Sequence, residues 1–352
     1  MAKTIDGRLA YADLLRVLAI LAVVMIHLSG SQFAAQATAT AAFQTFNVYD
    51  SLVRWAVPVF VMLSGMFLLD PKRPLPLSKL FFHNILRIVI ALLFWGTAYG
   101  FVDGRSFTLS GLWSAFVGVL HGDLHYHLWF LPMILGLYLV TPVLRAFVKG
   151  ASRSDFHWFF LLVFVFAMLL PTAAKLWPNA AALPTAWAGK LNLHLILGYV
   201  GYYVAGYYLR EYTINGVVEA VSYALGLAGA VVTIFGTSAL SRAQGGLVDT
   251  LYDYMSPNVC CMAVAVFVLF RYVLGVSDER SRRQRLGGLA KISFGVYLVH
   301  DFFIQILAHF GVTTMSFAPA LSVPVLTLAV FVCACAVAWV LSKIPFLGRY
   351  LT

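Results

Sequence analysis

Charge is what this sequence has least of. Only 11% of its 352 residues are Asp, Glu, Lys or Arg, against about 25% in a soluble globular domain. No polar block is long enough to build an extramembrane domain, so residues 1–352 are expected to form one integral-membrane domain. Acidic residues are scarcer than basic ones, 14 against 24, and no run of intramembrane carboxylates of the kind an ion pump carries is present. Cysteine is scarce too. Cys260, Cys261, Cys333 and Cys335 all lie inside apolar runs and read as small packing residues, which argues against a disulfide framework or a thiolate metal site. There is no Gly-x-Ser-x-Gly elbow, no Walker loop and no His-Glu-x-x-His. No clean small-x-small cleavage site follows the first apolar run, so that run is expected to remain as a membrane helix.

What the sequence has in quantity is hydrophobic residues, 61% of the chain. Apolar runs long enough to cross a bilayer fall at 11–30, 52–69, 84–102, 128–147, 157–174, 193–209, 217–238, 255–274, 289–309 and 322–342. The expected fold is therefore all-α, a polytopic bundle of about ten transmembrane helices. The connections between runs divide the charge sharply. Of 24 lysines and arginines, only Arg105, Lys175, Lys190 and Arg242 fall on one side. Arg16, Arg54 and Arg87 lie in or at the edge of runs. All the others, including Lys3, Arg8 and the cluster from Arg280 to Arg285, fall on the side of both termini, which is therefore expected to be cytoplasmic. The net charge of +10 is then a topology signal, and no nucleic-acid partner is implied.

A few ionisable groups sit inside the runs, where they are costly and so most informative. The first run carries Asp13, Arg16 and His27. Eleven helical residues are three turns plus about 20°, so Arg16 and His27 emerge from one face about 16 Å apart along the axis. A membrane histidine that only hydrogen-bonds a neighbouring helix is the plain alternative. A neutral imidazole is also the side chain best suited to take a proton from a hydroxyl near neutral pH. Arg16 either pairs with Asp13, three residues earlier, or faces a phosphate or thioester oxygen. Lys72, Arg73 and Lys79 fit a basic cytoplasmic connection, whereas Arg87 begins a long apolar run alone. His300 and Asp301 form a second intramembrane pair, for which a structural hydrogen bond is the simpler account. His121, His125 and His127, with Asp123 near, lack a recognised ligand spacing, and no metal is expected. Pro58 and the Ser64-Gly65 pair permit a kink and close helix approach in the second run.

Four elements, in order, carry a resemblance. They are Arg16 with His27; Arg54 followed by Val57-Pro58-Val-Phe-Val-Met-Leu-Ser64-Gly65; the stretch from His127 through Trp129; and Ser293-Phe-Gly-Val-Tyr297-Leu-Val-His300. Together they resemble the acyltransferase-3 family of bacterial membrane proteins, which O-acylate sugars and other acceptors. The resemblance covers nearly the whole chain. It implies a multi-pass protein of the bacterial cytoplasmic (inner) membrane that moves an acyl group, usually acetyl, from cytoplasmic acetyl-CoA or another acyl-CoA to a hydroxyl of an envelope or exported glycan. On that likeness His27 is the general base, supported by Arg16 and Asp13. Arg16, Arg54, Ser64, Lys72, Arg73, Lys79, His83 and Arg87 are expected to hold the donor. The family tends to have two arginines three apart at the start of its third helix; here the positions are Asn84 and Arg87, so half of that pair is missing. His127, Trp129, Tyr297 and His300 are expected on the acceptor side. Ser29 and Ser64 are the only serines considered for a covalent route, and neither has a triad around it. The chain ends soon after its last run and resembles the stand-alone members, which meet the acceptor directly or pass the acyl group to a separate envelope glycan-assembly or acyl-transfer protein. Membrane lipid is the remaining partner. An exporter of a glycan or acylated precursor is the alternative reading, since broken spans with midplane polar groups also suit transport.

Overall fold

The computed structural model describes residues 9–180, 190, 198–274 and 286–352. Among these residues there is no strand, and nine helical runs are long and apolar enough to cross a membrane. The chain is a multi-pass membrane protein. Helices are the expected outcome, because hydrocarbon offers no partner to an exposed N–H or C=O.

Helix α1 (Ala10–Phe33) is a hub of the bundle. Around it lie α2 (Ala41–Val53), α3 (Ala56–Leu68), α10 (Pro257–Tyr272), α11 (Leu286–His309) and α12 (Pro319–Leu341). The remaining elements are α4 (Leu77–Asp103), α5 (Leu109–Leu120), α6 (Tyr126–Gly150), α7 (Arg153–Leu176), α8 (Tyr199–Glu211), α9 (Gly216–Gln244) and the short C-terminal α13 (Pro345–Tyr350). Helix starts follow side-chain chemistry: Thr40, Thr108 and Asn215 each accept an orphan backbone N–H at the first turn of α2, α5 and α9.

Three features differ from the expectation. The second span begins earlier, at Ala41, because Arg54 and Trp55 break it into α2 and α3, and Pro58 sits harmlessly in the first turn of α3. Helix α5, 12 residues long, is too short to register as a span. The expected span at 193–209 is described only as α8, and residues 193–197 lie outside the described residues, as do Lys3, Arg8, Arg280, Arg282, Arg283 and Arg285.

The α3–α8 contact is the most extensive interhelical packing that involves α3. It depends on two glycines placed reciprocally. A Cβ on Gly65 would lie 1.8 Å from the Tyr203 carbonyl oxygen, and one on Gly206 would lie 1.8 Å from the Met62 carbonyl oxygen. Backbone meets backbone at both points, so no side chain can yield. The close approach anticipated from Ser64-Gly65 is therefore present, with a glycine on each helix. The carbonyls at the end of α3 are met by arginines from two other helices. Arg145 donates to the Leu68 and Arg73 carbonyls at 2.6 and 2.7 Å, and Arg210 to that of Met66 at 2.8 Å. Cations at a helix C-terminus offset its partial negative charge.

Gly65→Val and Gly206→Val are each expected to cost about 3 kcal/mol, at the upper end of overpacking effects. Thermal unfolding in detergent checks this, and an unchanged melting temperature for both variants refutes the close-approach account.

Candidate active site

A cavity of about 380 Å³ lies inside the bundle, walled by α1, α3, α4, α6 and α11 together with Tyr254. Its wall includes Arg16, Arg87 and Lys291 but, among the described residues, no aspartate or glutamate. Arg16 lies near the start of α1 and Lys291 near the start of α11, the end of the bundle where the basic connections gather. A π-helical turn at Leu80–Ile85 precedes Arg87 and rotates the rest of α4 about its axis. The Arg87 guanidinium donates to the Thr352 carbonyl and lies over the Phe294 ring, 4.9 Å from its centroid, while its buried Nε has no partner. Ser64 is in the wall, but its hydroxyl donates back to the Phe60 carbonyl at 3.0 Å. Ser29 is fully buried outside the wall and donates to Met25 at 2.8 Å. Neither serine is poised as a nucleophile.

His27 lies on the same wall, about 16 Å along α1 from Arg16. Three rings surround it: His300 at 5.0 Å between centroids, Tyr126 at 5.2 Å and His127 at 6.1 Å. His127 begins α6, is 1% exposed and also lines the cavity, and its carbonyl accepts the Tyr297 hydroxyl at 2.7 Å. Its Nδ1 is 2.9 Å from Nδ1 of His125, and its buried Nε2 has no partner.

At its far edge, His125 Nε2 lies 3.1 Å from the Gln305 amide nitrogen and 3.5 Å from carboxylate oxygens of both Asp103 and Asp301. The Gln305 amide nitrogen lies 3.1 Å from Asp301 Oδ2 as well. The direction of the His125–His127 bond follows the tautomer of His125. Asp301 also accepts the Tyr126 hydroxyl at 2.5 Å, and the Tyr99 ring stacks between His125 and Phe302 at 4.6 and 3.9 Å.

His125, His127 and Asp301 bring ligand atoms within 4.8 Å of one another. The carboxylate partner of these histidines is Asp301, not the neighbouring Asp123, and His121 is exposed with its Nδ1 turned to the Val117 carbonyl. The atoms of the cluster already bond to one another, to Tyr126 and to Gln305.

The cavity thus gathers His27, Arg16, Ser64, Arg87, His127, Trp129 and Tyr297 from separate stretches of sequence. The other expected site residues lie outside its wall. Asp13 is one turn along α1 from Arg16 but is not in the wall. Arg54 is bound to Asp50 at 2.6 Å, with its guanidinium 4.4 Å from the Tyr252 ring centroid, so it is neutralised behind Tyr254 rather than offered to a ligand. Lys72 pairs with Glu211, whose carboxylate raises the ammonium pKa above its ordinary value. Arg73 pairs with Asp70 at 3.5 Å, Lys79 is exposed, and His83 is exposed with Nδ1 3.4 Å from Arg349. His300 is fully buried and not in the wall, and its ring is a neighbour of His27. Lys291, Tyr138, Tyr254 and Ser293 line the cavity and were not anticipated. In the sequence Lys291 reads only as a topology marker. Its place two residues before the Ser293–His300 element is the available signal.

The molecule is thus a polytopic helical bundle with an internal cavity, basic at one end and lined by histidines at the other. A family model described as an acyltransferase domain, acyltransferase-3, matches residues 9–343. The chain belongs to that family, and the protein is a membrane acyltransferase. No curated protein and no solved structure matches it.

The Asp50–Arg54 pair yields a test of its own. Breaking a buried pair strands a charge, so Arg54→Leu or Asp50→Leu alone is expected to cost about 3–5 kcal/mol, and the double variant to recover much of it. Melting curves in detergent for the three variants decide; single variants as stable as the parent would show the pair to be unimportant.

Proposed function

We propose that this protein O-acylates a hydroxyl of an envelope or exported glycan, taking the acyl group, most simply acetyl, from acyl-CoA at the basic end of the bundle. The observation that carries the reading is the cavity itself: Arg16, Arg87 and Lys291 at one end, His27 and His127 at the other, and among the described residues no Asp or Glu in the wall between. Coenzyme A is polyanionic, and guanidinium and ammonium groups in a low-dielectric wall bind phosphate oxygens strongly. With the basic end facing the cytoplasm, in keeping with the charge bias of the connections, the nucleotide stays on that side. Only the thin acyl-bearing arm reaches His27.

One His27 ring nitrogen takes the proton of the acceptor hydroxyl as its oxygen attacks the thioester carbon. The C–S bond then breaks, the sulfur leaves with the proton from His27, and an ester and a free thiol result. Negative charge gathers on the acyl oxygen between these events, and His127 Nε2, in the tautomer that carries its proton there, is the group suited to meet it. Direct transfer is preferred to an acyl-enzyme, because Ser64 donates to its own helix and Ser29 lies outside the wall. No metal enters this scheme.

Purified protein in detergent, given radiolabelled acetyl-CoA and candidate glycan acceptors, tests the reading. His27→Ala is expected to lower kcat by about 10² to 10⁴, the range of general-base effects. Lys291→Ala and Arg87→Ala are expected to raise KM for the donor about tenfold or more, each removing a charge-assisted contact. Full transfer by the histidine variant would sink the general base, and acceptor flux across vesicles without donor turnover would favour export.

A further inference from the structure

Helix α5 does not cross the membrane, yet it is not a surface helix either. It is 12 residues long, about 18 Å, against a hydrocarbon thickness of about 30 Å. It runs back along α4 from the outer end. A Cβ on Gly100 would lie 3.4 Å from the Ala115 Cβ, and one on Gly96 would lie 2.8 Å from Val119 and 3.6 Å from Leu124. The turn at 121–125 is therefore level with Gly96. The residues after it meet two more helices: the Tyr126 ring lies 5.2 Å from that of His27, and the His127 ring 5.3 Å from that of His300. His27, Gly96 and His300 stand six, seven and nine residues before the outer ends of α1, α4 and α11, at Phe33, Asp103 and His309. Three helices thus place the turn about 9 to 14 Å beneath the outer rim of the bundle.

The surroundings at that depth are divided. Leu109, Trp113 and Leu120 of α5 are exposed and apolar, as lipid tails require. His121, Gly122 and Asp123 follow directly and are exposed too. So are Tyr126, at 56%, and the Asp103 side chain, at 46%. A carboxylate facing hydrocarbon is costly, and non-helical backbone at membrane depth persists only where protein buries it or water reaches it. Protein does not bury this turn.

We propose that the turn at 121–125, with Asp103 and Tyr126, lines a water-filled vestibule open to the outer face, and that the acceptor hydroxyl reaches His27 along it. The acceptor route rests on the general-base reading of His27; the vestibule does not. Tyr126 joins the two, because it is exposed, its ring lies beside His27 and its hydroxyl donates to the buried Asp301. Asp103 and Asp123 offer oxygens that accept hydrogen bonds from hydroxyls. The acceptor that fits such a path is hydrated and polyhydroxylated, not an alcohol dissolved among the lipid tails.

Single cysteines and a charged, membrane-impermeant methanethiosulfonate test this in sealed vesicles of either orientation, with the parent and its four native cysteines as the blank. His121→Cys and Asp123→Cys are expected to label from the outer face at least about tenfold faster than Leu120→Cys and Trp113→Cys, since the reactive thiolate forms in water and not in hydrocarbon. Two polar positions are used so that one variant failing to fold leaves the other to decide. Equal rates for the polar and apolar positions overturn the vestibule, as does labelling of the polar ones from the cytoplasmic face alone. Complete labelling of Asp123→Cys is expected to raise KM for a glycan acceptor at least about tenfold over the same variant unlabelled, with KM for acetyl-CoA unmoved. Acceptor kinetics unchanged by labelling overturn the route. If the parent transfers no acyl group, the labelling rates still judge the vestibule, and the failure belongs to the proposed function.

Discussion

A charge inside a membrane bundle must be met by an opposite charge, by hydrogen-bonding groups or by a cavity, and that constraint sorts the polar residues of this protein. Asp50 and Arg54 satisfy it with each other, at 2.6 Å and against Tyr252. Arg145 satisfies it on the Leu68 and Arg73 carbonyls, and Arg210 on the Met66 carbonyl and the Asp70 carboxylate. Arg16, Arg87 and Lys291 line a cavity whose wall, among the described residues, contains no aspartate or glutamate. The first two groups brace the fold, and the third makes the cavity basic, Arg87 keeping its bond to Thr352 and its contact with the Phe294 ring. The same residue type therefore does different things, and its surroundings tell them apart.

That sorting explains which features are legible in the chain and which are not. The pairing of Arg16 with His27 is legible because helical geometry alone puts positions eleven apart on one face. The close approach near Ser64-Gly65 is legible in kind, but its counterpart Gly206 is not, because the long intervening chain hides the register. Arg54 looks like Arg16 in sequence. Its neutralisation by Asp50 one turn earlier is visible in principle, but the break at Arg54-Trp55 conceals that both sit on a continuous path from α2 to α3. Lys291 is lost for the opposite reason: a lysine at a helix start near the basic connections satisfies the topology rule so well that nothing else is needed to account for it. The family pattern marks His300, but its place beside the His27 ring and outside the cavity wall is not legible, since a motif records position and not direction.

The reciprocal glycines connect the fold to this site. Wherever a Cβ would stand at Gly65 or Gly206, backbone stands already. Helix α3 is thus pinned against α8 while its other side carries Val57, Phe60 and Ser64 into the cavity wall. Small residues let helices approach until backbone packing, rather than side-chain adjustment, fixes their separation. The position of this part of the cavity wall is therefore set by backbone contact.

Around His27 the hydrogen-bond directions matter as much as the distances. Tyr297 lies at the root of both neighbouring histidines: its hydroxyl donates to the His127 carbonyl, and its own carbonyl accepts from His300 Nδ1. His125 is held among Gln305, Asp103 and Asp301, and its Nδ1 meets that of His127. The two unpartnered nitrogens, Nε2 of His127 and Nε2 of His300, belong to rings beside His27. The Tyr297 carbonyl fixes the proton of His300 on Nδ1 and leaves its Nε2 a lone pair, whereas the sense of His127 Nε2 follows the tautomer of His125. What each ring meets at its far edge thus decides what it presents at the near one.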